Sequence, residues 1–339
     1  MACALISNSK PHFLDHISPL ASLLEIPLIL SDEKNVELAT KYYPEVPLRY
    51  WPDLAFRLKE IGEEFDTLFE CNYWIPQFKD SLKFYTQKNI RLIFCPHGQS
   101  DKGYQAPLLA QYALQEIILI YGSLMKKMLE ELHIWPSISR SIEVGNFRFN
   151  YYQKHRERLL KIVDTEIFSH LEKQNRTLLY APTWEDEDLA GTFFQCGDRL
   201  LKELPSDWNL IIKIHPLIKE RHPALFYRLS IIEEKRSNFF FIDQFPPIYP
   251  ILERMDVYLG DYSSIGYDVL AFQKPMFFIS QPHLLPARLH SAGAFLDRSK
   301  NLFQQIEKHL PNANQFKKTQ SELYHKAFTP IKNIREVIP

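Results

Sequence analysis

Residues 256–278 read DVYLGDYSSIGYDVLAFQKPMFF, and their order of apolar and polar residues predicts a strand, a helix and a second strand. The apolar run from Asp256 to Gly260 ends in a turn with two serines. A helical segment separates that turn from the apolar run that begins after Lys274-Pro275. Strand, helix and strand in this order predict two parallel neighbours in one sheet, because a parallel connection needs a long crossover.

The same alternation continues along both halves of the chain. Buried strands are predicted at ACALIS, IPLILSD, DTLFECN, RLIFCPHG, EIILIYG and SIEVGN in the first half, and at TLLYAPT, NLIIKIHP, NFFFIDQ, MDVYLGD and KPMFFIS in the second. Segments of helical period lie between them. We therefore predict an α/β protein with two Rossmann-like domains, each built on a parallel sheet with helices on both faces.

Three parts of the chain follow from this pattern. Residues 1–150 form the N-terminal Rossmann-like domain, and residues 151–174 form a connecting helix, since this charged stretch lacks Gly and Pro. Residues 175–339 form the C-terminal Rossmann-like domain, which ends in a helical tail.

Composition excludes several classes of protein. The chain has 339 residues, of which 45% are hydrophobic, and this length favours two domains. With 40 basic and 41 acidic side chains, the formal net charge is -1, so the protein as a whole has no positive potential that would attract nucleic acid. No stretch approaches the ~20 apolar residues of a membrane span, so we expect a cytoplasmic protein with at most peripheral membrane contact. The 4 cysteines lie far apart without a CxxC pair, which argues against a zinc site or a disulfide framework.

The polar residues that carry chemistry follow the predicted strands. Four predicted strands end in such a polar stretch, namely CPHG, APTWED, IKIHP and GDYSSIGYD. Ligands of open parallel sheets bind beyond the carboxyl ends of the strands, so these stretches are the candidate site. In the last of them, Ser263 and Ser264 are either plain helix caps or part of a cradle for a phosphate group.

Two histidines occupy corresponding strand ends in the two halves. His215 precedes a proline, and His97 precedes Gly98, whose missing side chain leaves room for a substrate. A histidine can donate to a phosphate oxygen or move a proton near neutral pH. Either one alone is more often structural, but the matched positions favour a functional interpretation.

The sequence also contains an acidic stretch of the DxD type at Asp186-Glu187-Asp188. We interpret it as a solvated loop in preference to a metal site, because runs of charge are usually exposed. We therefore predict no metal site. No HExxH, EF-hand or Walker pattern is present, so proteolysis and P-loop chemistry have no support.

The stretches PHGQSDKG, YAPTWED, IKIHP and GDYSSIGYDVLAFQKPMFF, in this order, resemble the CDP-glycerol glycerophosphotransferases, the group of teichoic-acid primases and polymerases. The resemblance covers about residues 91 to 280. It implies a GT-B fold, in which two Rossmann-like domains face each other across a cleft. It also implies transfer of glycerol phosphate, or a related polyol phosphate, from a CDP-activated donor to an acceptor hydroxyl, with release of CMP.

The resemblance further implies roles for single residues. His97 corresponds to the histidine proposed as the base that activates the acceptor, and His215 corresponds to a histidine that contacts the donor phosphates. Further contacts to the donor phosphates are implied for Lys213, Thr183, Tyr262, Ser263 and Ser264. Gly98, Asp101 and Lys102 are assigned to the acceptor pocket.

The implied partners are a nucleotide-activated polyol and a lipid-linked or glycan acceptor, as in cell-envelope biosynthesis at the inner face of the membrane. No cofactor is expected, since the CDP-linked donor is itself a substrate. Gln99 and Ser100 depart from the family, which usually has threonine and proline there. Two alternatives therefore stay open: a GT-B glycosyltransferase that uses a nucleotide sugar, and an inactive nucleotide-binding relative.

Overall fold

The computed structural model describes residues 1–100, 109–184, 191–281 and 283–338. Its chain divides into two compact units. The first unit comprises Met1–Lys154 together with His325–Pro339, and the second comprises His155–Tyr324. Each unit is built around its own sheet.

The first unit contains a seven-stranded sheet of parallel strands in the order β3-β2-β1-β4-β5-β6-β7. The strands are β1 (Ala2–Ile6), β2 (Leu28–Leu30), β3 (Leu48–Tyr50), β4 (Thr67–Glu70), β5 (Arg91–Phe94), β6 (Ile117–Ile120) and β7 (Arg140–Glu143). The central strands are buried along nearly their whole length, which explains why they read as unbroken apolar runs.

Helices connect these strands. They are α1 (Leu14–Leu24), α2 (Glu33–Tyr42), α3 (Leu58–Glu64), α4 (Pro76–Thr86), α5 (Ser123–Glu131) and α6 (Phe147–Lys154). Short 3₁₀ helices cover Pro11–Phe13, Leu54–Phe56, Gln111–Leu114, Trp135–Ser137 and, near the end of the chain, Ile334–Glu336. Asp32 caps α2 by accepting a hydrogen bond from the Asn35 backbone N–H at 3.0 Å.

The second unit contains a six-stranded parallel sheet in the order β10-β9-β8-β11-β12-β13. Its strands are β8 (Arg176–Tyr180), β9 (Trp208–Ile212), β10 (Phe239–Phe241), β11 (Val257–Gly260), β12 (Met276–Ile279) and β13 (Ala294–Leu296). The core on this sheet is aliphatic and aromatic, with Trp208 and Tyr180 among its largest fully buried side chains.

The helices of the second unit are α7 (Arg156–Glu166), α8 (Phe193–Glu203), α9 (Pro216–Arg221), α10 (Pro223–Glu233), α11 (Tyr249–Arg254), α12 (Ile265–Val269), α13 (Leu302–His309) and α14 (Lys317–Ala327), the last of which crosses the unit boundary with its final three residues. Short 3₁₀ helices cover Phe168–His170, Leu270–Phe272, Arg288–Ala292 and Leu310–Phe316. Among the residues that the structure describes, no helix is both long and apolar enough to cross a bilayer.

Both sheets follow the Rossmann order, so the predicted α/β class with two Rossmann-like domains is confirmed. Every strand predicted from an apolar run is present. The strands β3 and β13 were not predicted: β3 has the polar Arg49 at its centre, and both strands are only partly buried.

The predicted single connecting helix is wrong. Helix α6 ends at Lys154 and α7 begins at Arg156, with His155 between them in a non-helical conformation. The residues of α6 that are buried belong to the first unit, whereas α7 buries Leu159 and Val163 in the second. The structural boundary therefore falls at 154/155, where residues 151–174 were expected to form one helix.

The end of the chain also differs from the predicted domain boundaries. Residues His325–Pro339 belong to the first unit, although we expected a tail of the C-terminal domain. The Thr329 N–H donates to the Tyr121 carbonyl at 3.0 Å, and Asn150 donates to the Ile331 carbonyl at 2.8 Å. Phe328 is 3% exposed, so burial of apolar side chains holds this segment on the first unit.

Gly145 allows this segment to approach closely. Its φ is +61°, in the left-handed region, and a Cβ at this position would overlap the Thr329 carbonyl oxygen. Only glycine meets both conditions without strain.

Candidate functional site

The order of the second sheet places its site between β8 and β11. The strands that follow β8 in the chain, β9 and β10, lie on one side of it, whereas β11, β12 and β13 lie on the other, so the strand order reverses between β8 and β11. Ligands of such folds bind at this reversal, beyond the carboxyl ends of the strands. Thr183 follows β8, Asp261 to Ser264 follow β11, and Lys213 and His215 follow the adjacent β9. The structure thus brings together all the donor-site residues predicted in the second half.

The carboxylate of Asp261 joins these loops. One oxygen accepts hydrogen bonds from the backbone N–H groups of Thr183 at 2.8 Å and Ser263 at 3.2 Å. The other accepts from the N–H and hydroxyl of Thr192 at 3.0 and 2.9 Å. Because Asp261 is fully buried, these bonds replace the water that its charge has lost.

His290 holds the backbone of Asp261 through a hydrogen bond to its carbonyl. Its Nδ1 accepts from the Ala287 N–H at 3.0 Å, so the proton lies on Nε2, which donates to the Asp261 carbonyl at 3.1 Å. Tyr262 packs its ring against His290 at 4.7 Å, and its hydroxyl donates to the Leu285 carbonyl at 2.6 Å. The structure therefore gives Tyr262 a packing role, and its predicted phosphate contact stays a prediction.

Ser263 and Ser264 lie at the start of α12. Ser263 is 7% exposed, whereas Ser264 is half-buried and occupies the N-cap position without a side-chain cap hydrogen bond. Helix α12 has 5 residues, so its dipole is small. The Ser264 hydroxyl is thus not used as a plain helix cap.

Lys213 and His215 extend from the end of β9. The Lys213 N–H donates to the Tyr180 carbonyl at 3.0 Å, which continues the pairing with β8, and its Nζ lies 3.3 Å from the Phe245 carbonyl. The His215 ring lies 6.2 Å from the ring of Trp184, and Arg221 lies over that same indole at 5.4 Å. Both Lys213 and His215 are half-buried.

The predicted acidic loop Asp186-Glu187-Asp188 lies outside the described residues. Within the described part of the chain, no group of three or more His, Cys, Asp or Glu side chains is placed to hold a metal ion.

In the first unit, His97 follows β5 and is exposed. Gly98 has a φ of 110°, which favours glycine. Phe13, His12 and His16 surround the His97 ring, with centroid distances of 5.4, 6.0 and 6.3 Å. The predicted acceptor-pocket residues Asp101 and Lys102 lie outside the described residues.

Sequence reasoning missed the residues that hold this loop. The Tyr121 hydroxyl donates to the Pro96 carbonyl at 2.6 Å and accepts from the Gly98 N–H at 3.3 Å. The His16 Nδ1 lies 3.4 Å from the same hydroxyl. The available signals were a tyrosine at the end of an apolar strand and two histidines four residues apart after β1.

Two buried titratable groups of the first unit were also missed. Burial, followed by the charges of Arg148, His97 and His12, lowers the pKa of His16 well below its ordinary value, so this histidine is neutral. Burial raises the pKa of Glu70 to about 7, although Ser7 donates to its carboxylate from both backbone and hydroxyl. Gln99 is 1% exposed, and its amide makes no hydrogen bond within the described residues.

Comparison with known proteins identifies a family that part of this chain resembles. The sequence profile of the family described as CDP-Glycerol:Poly(glycerophosphate) glycerophosphotransferase matches residues 123–283. That range contains three of the four predicted motifs, while the His97 motif precedes it.

Two relatives illustrate the range of similarity. A teichoic acid poly(glycerol phosphate) polymerase of Staphylococcus epidermidis is 25% identical over 280 residues, which are 72% of this chain and 37% of that protein. A teichoic acid poly(ribitol-phosphate) polymerase of Bacillus spizizenii is 28% identical over 113 residues, which are 32% of this chain and 17% of that protein. The chain thus spans well under half the length of either relative.

Solved structures show the same fold over nearly the whole chain. The wall teichoic acid polymerase TagF has a TM-score of 0.66 and 13% identity, covering 99% of this chain and 86% of its own. Staphylococcus aureus MnaA, solved with UDP, has a TM-score of 0.64 and 13% identity, covering 99% of this chain and 94% of its own. The profile of the CDP-glycerol glycerophosphotransferase family thus matches residues 123–283, in agreement with the resemblance that the motifs indicate.

Proposed function

We propose that this protein is a transferase that moves glycerol phosphate, or a related polyol phosphate, from a CDP-activated donor to an acceptor hydroxyl and releases CMP. One observation carries the proposal: Asp261 fixes the Thr183 and Ser263 loops at the β8/β11 strand ends, and Lys213 and His215 follow the neighbouring strand β9. The family match over residues 123–283 supports this choice of donor, and a TagF variant with the same fold has been solved after soaking with CDPG.

The second unit is the proposed donor site. The Lys213 ammonium and the His215 imidazole are the groups that meet the negative charge of the diphosphate, and the Ser264 hydroxyl adds a hydrogen bond. Donors that are already held in place stabilise the charge that develops as CMP leaves, with little reorganisation. No cofactor enters the proposal, because the donor is itself the activated substrate.

His97 is the proposed base. The acceptor oxygen attacks the β-phosphorus of the donor, and its proton passes to His97. A new P–O bond forms while the bond from that phosphorus to the bridging oxygen breaks, and the electron pair leaves with CMP. Proton removal by a positioned base contributes about 10²–10⁴-fold to such a reaction.

The proposed acceptor is a hydroxyl of a lipid-linked or glycan chain. The relatives are polymerases of teichoic acids, and their names include both glycerol phosphate and ribitol phosphate as the transferred unit. Such an acceptor brings the enzyme to the inner face of the cell membrane through peripheral contact.

The first experiment measures CMP release from CDP-glycerol in the presence of a lipid-linked glycerol phosphate acceptor. We expect turnover, and we expect the His97→Ala variant to lose about 10²-fold or more in kcat while it binds CMP as tightly as the wild type. His309→Ala, which removes an exposed histidine at the end of α13, is the matched control and keeps wild-type turnover.

The same preparation tests the donor site. We expect Ser264→Ala to weaken CMP binding by about 1–2 kcal/mol, the value of one hydrogen bond to a charged group. Ser206→Ala, at an exposed position before β9, leaves binding unchanged. Release of UDP from UDP-sugars without CMP release from CDP-glycerol would replace the proposal with glycosyl transfer, and CMP binding without any turnover would indicate an inactive relative.

A further inference from the structure

The loop that carries His97 is held at both of its flanking peptides by one side chain. Tyr121 follows β6, the neighbour of β5 in the sheet, and its hydroxyl reaches the Pro96 carbonyl at 2.6 Å and the Gly98 N–H at 3.3 Å. The carbonyl before His97 and the amide after it therefore share a single partner. Gly98 has a φ of 110°, so this loop turns sharply at the point where it is held.

The hydroxyl of Tyr121 is itself held in one orientation. Its proton is donated to the Pro96 carbonyl, so the oxygen accepts from the other two neighbours. These are the Gly98 N–H and the Nδ1 of His16, 3.4 Å away. A neutral His16 with its proton on Nδ1 satisfies this arrangement, and burial keeps that ring neutral.

The ring of Tyr121 is also fixed. It is 2% exposed, stacks on Phe147 with centroids 5.9 Å apart, and meets the edge of Phe328 at 5.9 Å. A closely packed ring with a hydrogen-bonded hydroxyl has little freedom, so the position of the loop is determined by the position of the sheet.

From this geometry we infer that Tyr121 is the positioning residue for His97: its hydroxyl fixes the peptides on both sides of that histidine and thereby sets where the imidazole meets the acceptor hydroxyl. The inference rests on the proposed function, in which His97 is the base. Small errors in the placement of a catalytic group reduce rates strongly, by about 10²-fold for 1 Å.

The test compares Tyr121→Phe with Tyr112→Phe. Both tyrosines are buried in the first unit, but the ring of Tyr112 packs on Phe94 and Tyr73. We expect Tyr121→Phe to lower kcat for CMP release by about 10- to 100-fold. The KM for CDP-glycerol should stay within about twofold, since substrate binding by the second unit is unaffected. Tyr112→Phe keeps wild-type kcat.

Two further measurements separate positioning from general damage. In a His97→Ala background, adding Tyr121→Phe should leave the residual turnover unchanged, because the tyrosine acts through the histidine. Hydrogen exchange of the peptide that contains Gly98 should become faster in Tyr121→Phe than in the wild type or Tyr112→Phe.

The outcomes are distinct. Unchanged kcat in Tyr121→Phe, or an equal further loss in the His97→Ala background, would overturn the inference. If the wild type itself releases no CMP, the proposed function fails and the exchange experiment decides whether Tyr121 holds the loop: unchanged exchange at Gly98 rejects that role.

Discussion

The Asp261 carboxylate holds three backbone N–H groups of the second unit, and its replacement by asparagine tests how much the site depends on it. An amide nitrogen cannot accept from Thr183 or Thr192, so at least one buried donor loses its partner. We expect Asp261→Asn to lower the free energy of unfolding by about 3 kcal/mol in urea titrations. Asp243→Asn, at an exposed carboxylate paired with Lys219, is the control and should cost under about 1 kcal/mol. Similar losses in both variants would argue against a special role for Asp261.

The buried carboxyl of Glu70 should make the stability of the first unit depend on pH. Burial raises the pKa of its carboxyl from 4.5 to about 7 in the folded protein. Between these values the folded state holds a proton that the unfolded state has released. The contribution of Glu70 is therefore fully present at pH below 4.5 and is lost as the pH rises through about 7.

The variant Glu70→Gln lacks this titration. As the pH rises from 4.5 to about 7, the free energy of unfolding of the wild type should fall by up to about 3 kcal/mol relative to that of the variant. The measurement is a series of urea titrations of both proteins from acidic to neutral pH. A difference between the two proteins that does not change with pH would show that the Glu70 carboxyl titrates normally.

Single residues also show the limit of sequence reasoning. The residues at strand ends could be predicted, because a polar group directly after an apolar run is visible in the sequence, as with His215 and Ser263. Tyr121 and Asp261 act through hydrogen bonds to backbone groups of other loops. Such partners are set by the register of neighbouring strands, which a sequence of one chain does not specify.

Strands were predictable where burial on both faces leaves an unbroken apolar run, as in β6 and β11. The strands β3 and β13 lack that signal, since each is short and only partly buried. The break at His155 carries no Gly or Pro. It arises because α6 and α7 pack in different units, and tertiary packing overrides helical propensity there.

A substitution at Gly145 tests how closely the segment after His325 packs on the first unit. We expect Gly145→Ala to lower the free energy of unfolding by about 2–4 kcal/mol, from left-handed strain and from overlap with the Thr329 carbonyl. Urea titration of the variant gives this value. In a chain that ends before His325 the overlap is absent, so the same substitution should cost only about 1 kcal/mol. An undiminished cost there would show that the overlap with Thr329 is unimportant.

Taken as a whole, the molecule uses the Rossmann order twice, and each unit places its predicted site residues at the carboxyl ends of its strands. In the second unit they lie at the reversal of strand order between β8 and β11. In the first unit that reversal lies between β1 and β4, where Ser7 meets Glu70, and His97 follows the next strand. The division of labour that we propose, with donor binding in the second unit and the base in the first, is compatible with this placement.

The return of the chain to the first unit affects the order in which the protein can be completed during synthesis. A ribosome makes the first unit up to Lys154, then all of the second unit, and only afterwards the segment that contains Phe328. Until that segment emerges, Tyr121 lacks its T-shaped contact with the Phe328 ring, and its carbonyl lacks the Thr329 N–H. The loop that presents His97 therefore receives this support only after the whole second unit has been synthesised.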